Sequence, residues 1–264
     1  GYVGNPKFQY ALQLSFAPGD VGEIEEGKNL NIIRDAVVSY NPNKHWSFLF
    51  GQTKLPGNRQ RVNSSGSLQL TDRSINNAQF NIDRDFGFQV NYYEQSKDKF
   101  SYNVKTAASS GNGRNWSGKD TNVALTGKLE LLPFGTFKKG GDYFEGDIQR
   151  EETPKVMVSG VLHKNFDANA ARGQQGEELY ETRNLQSVFI DAIGKYNGWA
   201  GMVTYMNRTT DNPLTVGENS EGLPETRYVF AGEGMDYQLS YTFPVTHYEI
   251  IGRFSTQNVN DAIY

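Results

Sequence analysis

Phe8, Tyr10, Leu12, Leu14 and Phe16 alternate with Gln9, Ala11, Gln13 and Ser15, so one face of this stretch is apolar and the other small or polar. A period of two with large apolar groups on one side predicts a β-strand. Its apolar face must meet something oily and its other face water or a polar interior. The pattern returns along the chain. Trp46, Phe48 and Phe50 alternate with Ser47, Leu49 and Gly51, and Phe86, Phe88, Val90 and Tyr92 with Gly87, Gln89, Asn91 and Tyr93. Val123, Leu125, Leu129 and Leu131 oppose Ala124, Thr126, Lys128 and Glu130, and Met235, Tyr237, Leu239, Tyr241 and Phe243 oppose Asp236, Gln238, Ser240 and Thr242. About eleven runs result, near 8–16, 29–40, 46–54, 86–94, 99–108, 121–132, 155–162, 185–194, 199–206, 235–243 and 248–256. The alternation is unclean over 29–40 and 185–196. Many runs reach about 9 to 12 residues, longer than the globular norm of roughly 5 to 6 and matching what a membrane-spanning strand needs.

The connections keep a rhythm. They are long at 17–28, 55–85, 109–120, 163–184 and 207–234, and short at 41–45, 95–98, 195–198 and 244–247, with 133–154 an exception. Tight turns on one side of the membrane and longer loops on the other are the habit of an outer-membrane barrel. Asn41-Pro42-Asn43, Ser96-Lys97-Asp98 and Asn197-Gly198 supply turn chemistry on the short side. Tyr40, Trp46, Tyr92, Phe100, Trp199, Phe243 and Tyr248 stand at strand ends, where interfacial girdles lie. A soluble β-sandwich would alternate too, but it explains neither the strand length nor the rhythm. The expected fold is therefore all-β, an antiparallel transmembrane β-barrel forming one domain over 1–264. Eleven is odd, whereas bacterial barrels have even counts. Because the chain opens almost on a strand and stops just after one, the expectation is a barrel incomplete at both ends.

Composition narrows the classes. The 264 residues carry 26 basic and 30 acidic side chains, a formal charge of −4, which argues against a nucleic-acid partner. No stretch approaches the roughly 18 to 20 apolar residues of a spanning helix. With no Cys there are no disulfides, thiolate metal sites or thiol nucleophiles. The 28 Gly with 16 Phe, 15 Tyr and 3 Trp suit a protein of strands and turns.

Particular residues add a resemblance. Phe50-Gly51-Gln52-Thr53-Lys54-Leu55-Pro56, then Asp72-Arg73-Ser74, then Arg84-Asp85-Phe86-Gly87, resemble motifs of the phosphate-selective porin O and P family in order and spacing. Asn112-Gly113, Pro133-Phe134 and Gly252-Arg253-Phe254-Ser255 are similar to it as well, and the likeness is densest over 46–135. The resemblance implies a sixteen-stranded homotrimeric anion channel of a Gram-negative outer membrane. It also implies a third extracellular loop folded into the lumen and a wall ladder of basic residues. On that analogy about two strands are missing at the front and a few at the back. The chain departs from the family in having Asp72 where Glu is usual, and in showing no strongly basic ladder.

Charge placement gives the candidate chemistry. From Ala36 to Thr71 there is no acid, and Lys44, Lys54, Arg59 and Arg61 all fall there. If the 55–85 loop folds inward, Arg59 and Arg61, with Lys54 and Arg73, would make a positive constriction that attracts anions. Strict alternation from Phe48 and Phe50 turns Lys54 outward unless a bulge intervenes. Lys105, Lys128, Lys155 and Arg253 fall on the polar face and are lumen-wall candidates. Glu130 and Glu249 share that face, so cross-strand pairing is the competing role. The acids Asp20, Glu23, Glu25 and Glu26, and Asp142, Glu145, Asp147, Glu151 and Glu152, could hold a divalent cation but lack EF-hand spacing, and solvation is their simpler reading.

No cofactor, metal site or catalytic set is expected. His45, His163 and His247 are far apart and sit in no zinc-protease motif. Gly22 through Gly27-Lys28 and Gly113 through Gly118-Lys119 mimic a phosphate-binding loop, but Asn29 and Asp120 follow where Ser or Thr is needed. The expected partners are small anions or other small hydrophilic solutes, the lipid bilayer and further copies of the chain. The other reading is a barrel whose lumen the 55–85 loop plugs, serving as a docking subunit of a larger envelope complex.

Overall fold

The computed structural model describes residues 1–17, 20, 31–116, 122–246 and 248–263. Glu23, Glu25, Glu26 and His247 lie outside the described residues, as do the decisive positions of both phosphate-loop mimics.

The chain forms β1 (Tyr2–Val3), β2 (Asn5–Leu14), β3 (Ile33–Tyr40), β4 (Trp46–Lys54), β5 (Arg84–Glu94), β6 (Ser101–Ser109) and β7 (Val123–Leu132). It continues with β8 (Lys155–Ala170), β9 (Glu178–Tyr196), β10 (Trp199–Thr210), β11 (Leu214–Glu218), β12 (Pro224–Tyr228), β13 (Gly232–Thr242) and β14 (Glu249–Val259). Twelve of them make one sheet in the order β1 to β10, then β13 and β14, and β11 pairs with β12 apart from it. Since β1 has two residues, the sheet contains eleven full strands, one in each run of alternating residues. Neighbours are antiparallel, with registers such as Trp46↔Tyr92 and Val203↔Tyr237. Among the described residues the two edges do not pair, so the sheet is open.

Alternation places the side chains as the sequence reading requires. Leu125, Leu129, Leu162, Leu239 and Phe254 are exposed on the outer face, while Thr126, Lys128, Gln238 and Ser240 are buried on the other. Asn197 and Gly198 both have positive φ (47° and 91°). They make the tight turn that suits strand twist, and Asn-Gly tolerates it.

Two of the predicted long loops are different. Most of 163–184 is strand: β8 runs 16 residues and β9 runs 19. At about 3.4 Å per residue they rise well beyond a hydrocarbon core of roughly 30 Å. Most of 207–234 is likewise ordered as the end of β10 and the β11–β12 hairpin. Polar composition identifies chain outside the membrane without saying whether it is paired.

The sheet is rolled with its polar face inward. Ala11 and Gln13 of β2 border the same cavity as Arg73, and the adjacent Asp72 carbonyl accepts a hydrogen bond from Arg253 of β14 at 3.0 Å. Strands at opposite edges thus approach one short segment. That segment is 55–83, which contains the short helices Arg59–Val62 and Ile75–Phe80. Its Leu55, Phe80 and Ile82 pack on Ala107, Val161, Phe189 and Met206 of the inner wall. These inward apolar groups explain why alternation is unclean in β9: both its faces are apolar there, one for the outside and one for the inserted segment. A second segment, 133–154, also enters, with Phe137 packed on Leu132, Met157 and Ile193.

Candidate pore constriction

Segment 55–83 is pinned to the far wall by hydrogen bonds. Arg208 of β10, fully buried, donates to the carbonyls of Gln79 (2.9 Å), Phe80 (3.0 Å) and Asn81 (2.8 Å). Asp236 of β13 accepts from Ser74 Oγ at 2.6 Å and Asn76 Nδ2 at 2.9 Å. Ser74 also caps the second helix, accepting from Asn77 N at 3.0 Å. A cation donating to helix-end carbonyls satisfies groups that would otherwise be buried without partners.

On the near side the segment leaves a cavity of about 440 Å³ against β2 to β5. Five basic residues border it: Arg34, Lys54, Arg61, Arg73 and Arg84. Lys54 pairs with Arg84 in register at the ends of β4 and β5, and Arg34 stands near the start of β3 beside them. Alternation from Val38, Phe50 and Phe86 would turn all three outward. Alternation breaks inside the ladder rather than at its end: the β2–β3 register shifts at Arg34, between Gln13↔Asp35 and Leu14↔Ile33, while Lys54 and Arg84 still pair. In β4, Gly51 has φ of 126°. Beyond it Gln52 donates to the Ile33 carbonyl at 2.8 Å, and Lys54 Nζ to the carbonyls of Val62 (2.9 Å) and Asn63 (3.0 Å).

The five charges are not equivalent. Arg84 gives both Nε and Nη2 to Asp35 at 3.0 Å, and Arg61 engages Asp83 through Nε at 2.8 Å and through Nη2. Forked pairs of this kind cancel their charge locally. Lys54 and Arg73 are bonded only to carbonyls, Arg73 to Gln60 (2.9 Å) and Asn63 (3.3 Å), and keep theirs. Arg34 has no acidic partner among the described residues, and its buried Nε lacks a hydrogen bond. Among the described residues, three cations without an acidic partner therefore face one cavity, bounded by walls that focus their field. Burial and the neighbouring Arg61 lower the Arg73 guanidinium from its ordinary value. Burial pushes Asp83 up, but Arg61 and Arg84 outweigh it and hold the carboxyl below its ordinary value.

Arg59 is not part of this cluster. Its guanidinium is 3% exposed and donates to the Phe144 carbonyl at 2.8 Å, away from the cavity. Burial lowers it from its ordinary value, and Asp142 and Asp191 partly offset that. Lys105, Lys128, Lys155 and Arg253 are on the inner face, each already bonded. Lys105 and Lys128 share Glu130 at 2.8 and 3.1 Å, and Lys128 also donates to the Gly57 carbonyl at 2.9 Å. Lys155 donates to the carbonyls of Lys97 (2.8 Å) and Phe134 (2.7 Å). Arg253 reaches Gln238 at 2.9 Å besides Asp72. Glu145 accepts from Gln60, Gln69 and Gln238, and Asp147 from Gly198 N, so these acids serve as turn acceptors. Among the described residues no cluster of potential metal ligands occurs.

Sequence reasoning brought Lys54, Arg61 and Arg73 forward and missed Arg34 and Arg84. The Arg84-Asp85 pair stood within the family-like motifs, a usable signal. Arg34 lay in a run of unclean alternation and offered none. Lys195 and Arg208, which hold the inserted segments, were missed because nothing local marks a lysine that binds carbonyls.

An open-edged antiparallel sheet, apolar outside and polar inside, with a segment folded across its interior, defines a porin-type β-barrel. The family model of phosphate-selective porin O and P matches residues 3–135, and the chain belongs to that family. Neither the curated proteins nor the solved structures yield a match.

Proposed function

We propose that the protein is an outer-membrane porin of a Gram-negative bacterium, working as a homotrimer, through which small hydrophilic solutes diffuse with a preference for anions. The observation that carries this reading is the cavity between 55–83 and β2 to β5, where Arg34, Lys54 and Arg73 present charge that no carboxylate among the described residues pairs with. An ion entering a narrow passage loses hydration, and fixed side chains of opposite charge replace part of it. Guanidinium groups present planar donor forks suited to phosphate and carboxylate oxygens. The remaining basic residues of the wall are engaged within the protein, Lys128 and Arg253 with inserted backbone and Lys105 with Glu130, rather than forming a free ladder.

Single-channel recording in a planar bilayer tests the proposal, with chloride, phosphate and a salt gradient. The expected result is stepwise conductance, in threes, with a reversal potential shifted toward anions. A cation-shifted potential overturns the anion preference. The two segments that meet inside the sheet favour a second reading, a plugged barrel acting as a docking subunit. Silence from correctly folded protein supports that reading instead.

A further inference from the structure

Segment 133–154 enters the lumen from the mouth that carries the short turns, since Thr136 N bonds the Ser96 carbonyl at 2.9 Å and Asn197 N the Glu151 carbonyl at 2.8 Å. At its centre Lys195 of β9, 4% exposed, donates through Nζ to the carbonyls of Gly141 (2.6 Å), Phe144 (2.9 Å) and Gly146 (2.6 Å). An ammonium has three protons, and all three are engaged by one turn. The same turn grips the segment from the opposite mouth. The Phe144 carbonyl accepts from Arg59 Nη2 at 2.8 Å, and Glu145 accepts from Gln60 Nε2 at 3.1 Å and Gln69 N at 2.9 Å.

We propose that Lys195 is a positioning residue of the pore. By fixing the 141–146 turn it sets where the first half of 55–83 lies, so that the two insertions, one from each mouth, behave as a single unit. Lys195 touches no solute and acts through Phe144 and Glu145. The second half of 55–83 has its own anchors in Arg208 and Asp236. Residues 57–62 are also held by Lys128 at the Gly57 carbonyl and by Asp191 at the Arg59 amide, so Lys195 acts there through the Arg59 and Gln60 side chains and leaves 74–81 in place. The current readout rests on the porin reading, whereas the exchange readout does not.

The test is amide hydrogen exchange and single-channel recording on the reconstituted protein with Lys195→Met, Lys195→Arg and Glu145→Ala. In Lys195→Met, exchange in both 140–147 and 57–62 should quicken by about tenfold or more, with little change in 74–81. Its currents should be larger and noisier than wild type, with an unchanged reversal potential, because the uncancelled cations lie on the other side of 55–83. Lys195→Arg, which keeps donors and charge, should restore part of the protection. Glu145→Ala should loosen 57–62 while Lys195 keeps 140–147 protected, and it carries the test if Lys195→Met does not fold. Loosening of 140–147 with 57–62 exchanging as in wild type overturns the proposal, as does unchanged exchange of 57–62 in Glu145→Ala. Coupled exchange in a silent wild-type barrel supports this proposal and overturns the porin reading alone.

Discussion

Arg61 donates through Nε to the Asp83 carboxylate at 2.8 Å, and this ion pair ties the beginning of the inserted segment to its end. The acid-free window that drew attention to Arg61 stops short of both Asp35 and Asp83. Those two acids outside it, rather than Asp72 at its end, are the ones that cancel Arg84 and Arg61. On the proposed porin reading, selectivity should therefore depend on fewer residues than the count of basic side chains suggests.

Removing an uncancelled cation should matter more than removing a cancelled pair. A unit charge about 7 Å from a passing ion is worth roughly 0.6 kcal/mol in water, or about threefold in permeability. Arg34→Ala and Lys54→Ala should each lower the anion-to-cation permeability ratio by about two- to threefold, and the double variant Arg61→Ala/Asp83→Ala should leave it nearly unchanged. Reversal potentials in a salt gradient measure both; equal effects would refute the assignment.

Acid should loosen the inserted segment. The Asp83 carboxyl lies below its ordinary value of 3.8 in the folded protein because Arg61 and Arg84 outweigh its burial. For an acid so depressed, the stabilisation is fully present above the unfolded value and is lost as pH falls through the folded one. Open-channel noise should stay flat from neutral pH to about 4 and rise below it. Asp83→Asn should show the raised noise at neutral pH, with its pH dependence weakened.

Glu130 stands between two buried ammonium groups, Lys105 at 2.8 Å and Lys128 at 3.1 Å, and also accepts from Asn103 at 2.9 Å. Glu130→Gln leaves both cations facing a neutral group, which costs about 3–5 kcal/mol. Heating in detergent, followed by electrophoresis of folded and unfolded barrel, should show a lower transition temperature. Adding Lys105→Met should recover part of the loss by restoring the local net charge.

Gly51→Ala tests the backbone turn that brings Lys54 inward. A Cβ at Gly51 would lie 2.2 Å from the Ala36 carbonyl oxygen, and φ there is 126°. Displacement of β3 or of the turn should cost about 1–3 kcal/mol. The variant should fold in lower yield, and the barrel that does form should show weaker anion preference; a fully selective, equally stable variant would refute the role given to Gly51.

The eleven strands, their outer faces and the tight turns were legible because each depends on chemistry a few residues long. Val203, Tyr237, Leu239 and Phe254 declare an apolar face whatever stands across from them, and Asn197-Gly198 declares a turn by itself. The same periodicity placed Lys105, Lys128, Lys155 and Arg253 on the inner face. It did not reveal that β8 and β9 continue past the membrane, since polar residues suit both a loop and a strand in water.

What a charged side chain does depends on what is folded against it, and that only the tertiary structure decided. Arg59 and Arg61 are two residues apart, yet one is spent on the Phe144 carbonyl and the other on Asp83. Arg34 and Lys54, which simple alternation turns toward lipid, line the cavity because the β2–β3 register shifts at Arg34 and Gly51 breaks the alternation ahead of Lys54. Period-two chemistry determines the wall. The contents of the lumen follow from contacts between residues as distant in the chain as Arg59 and Asp191, whose amide and carboxylate meet at 3.0 Å, and no local pattern encodes such a meeting.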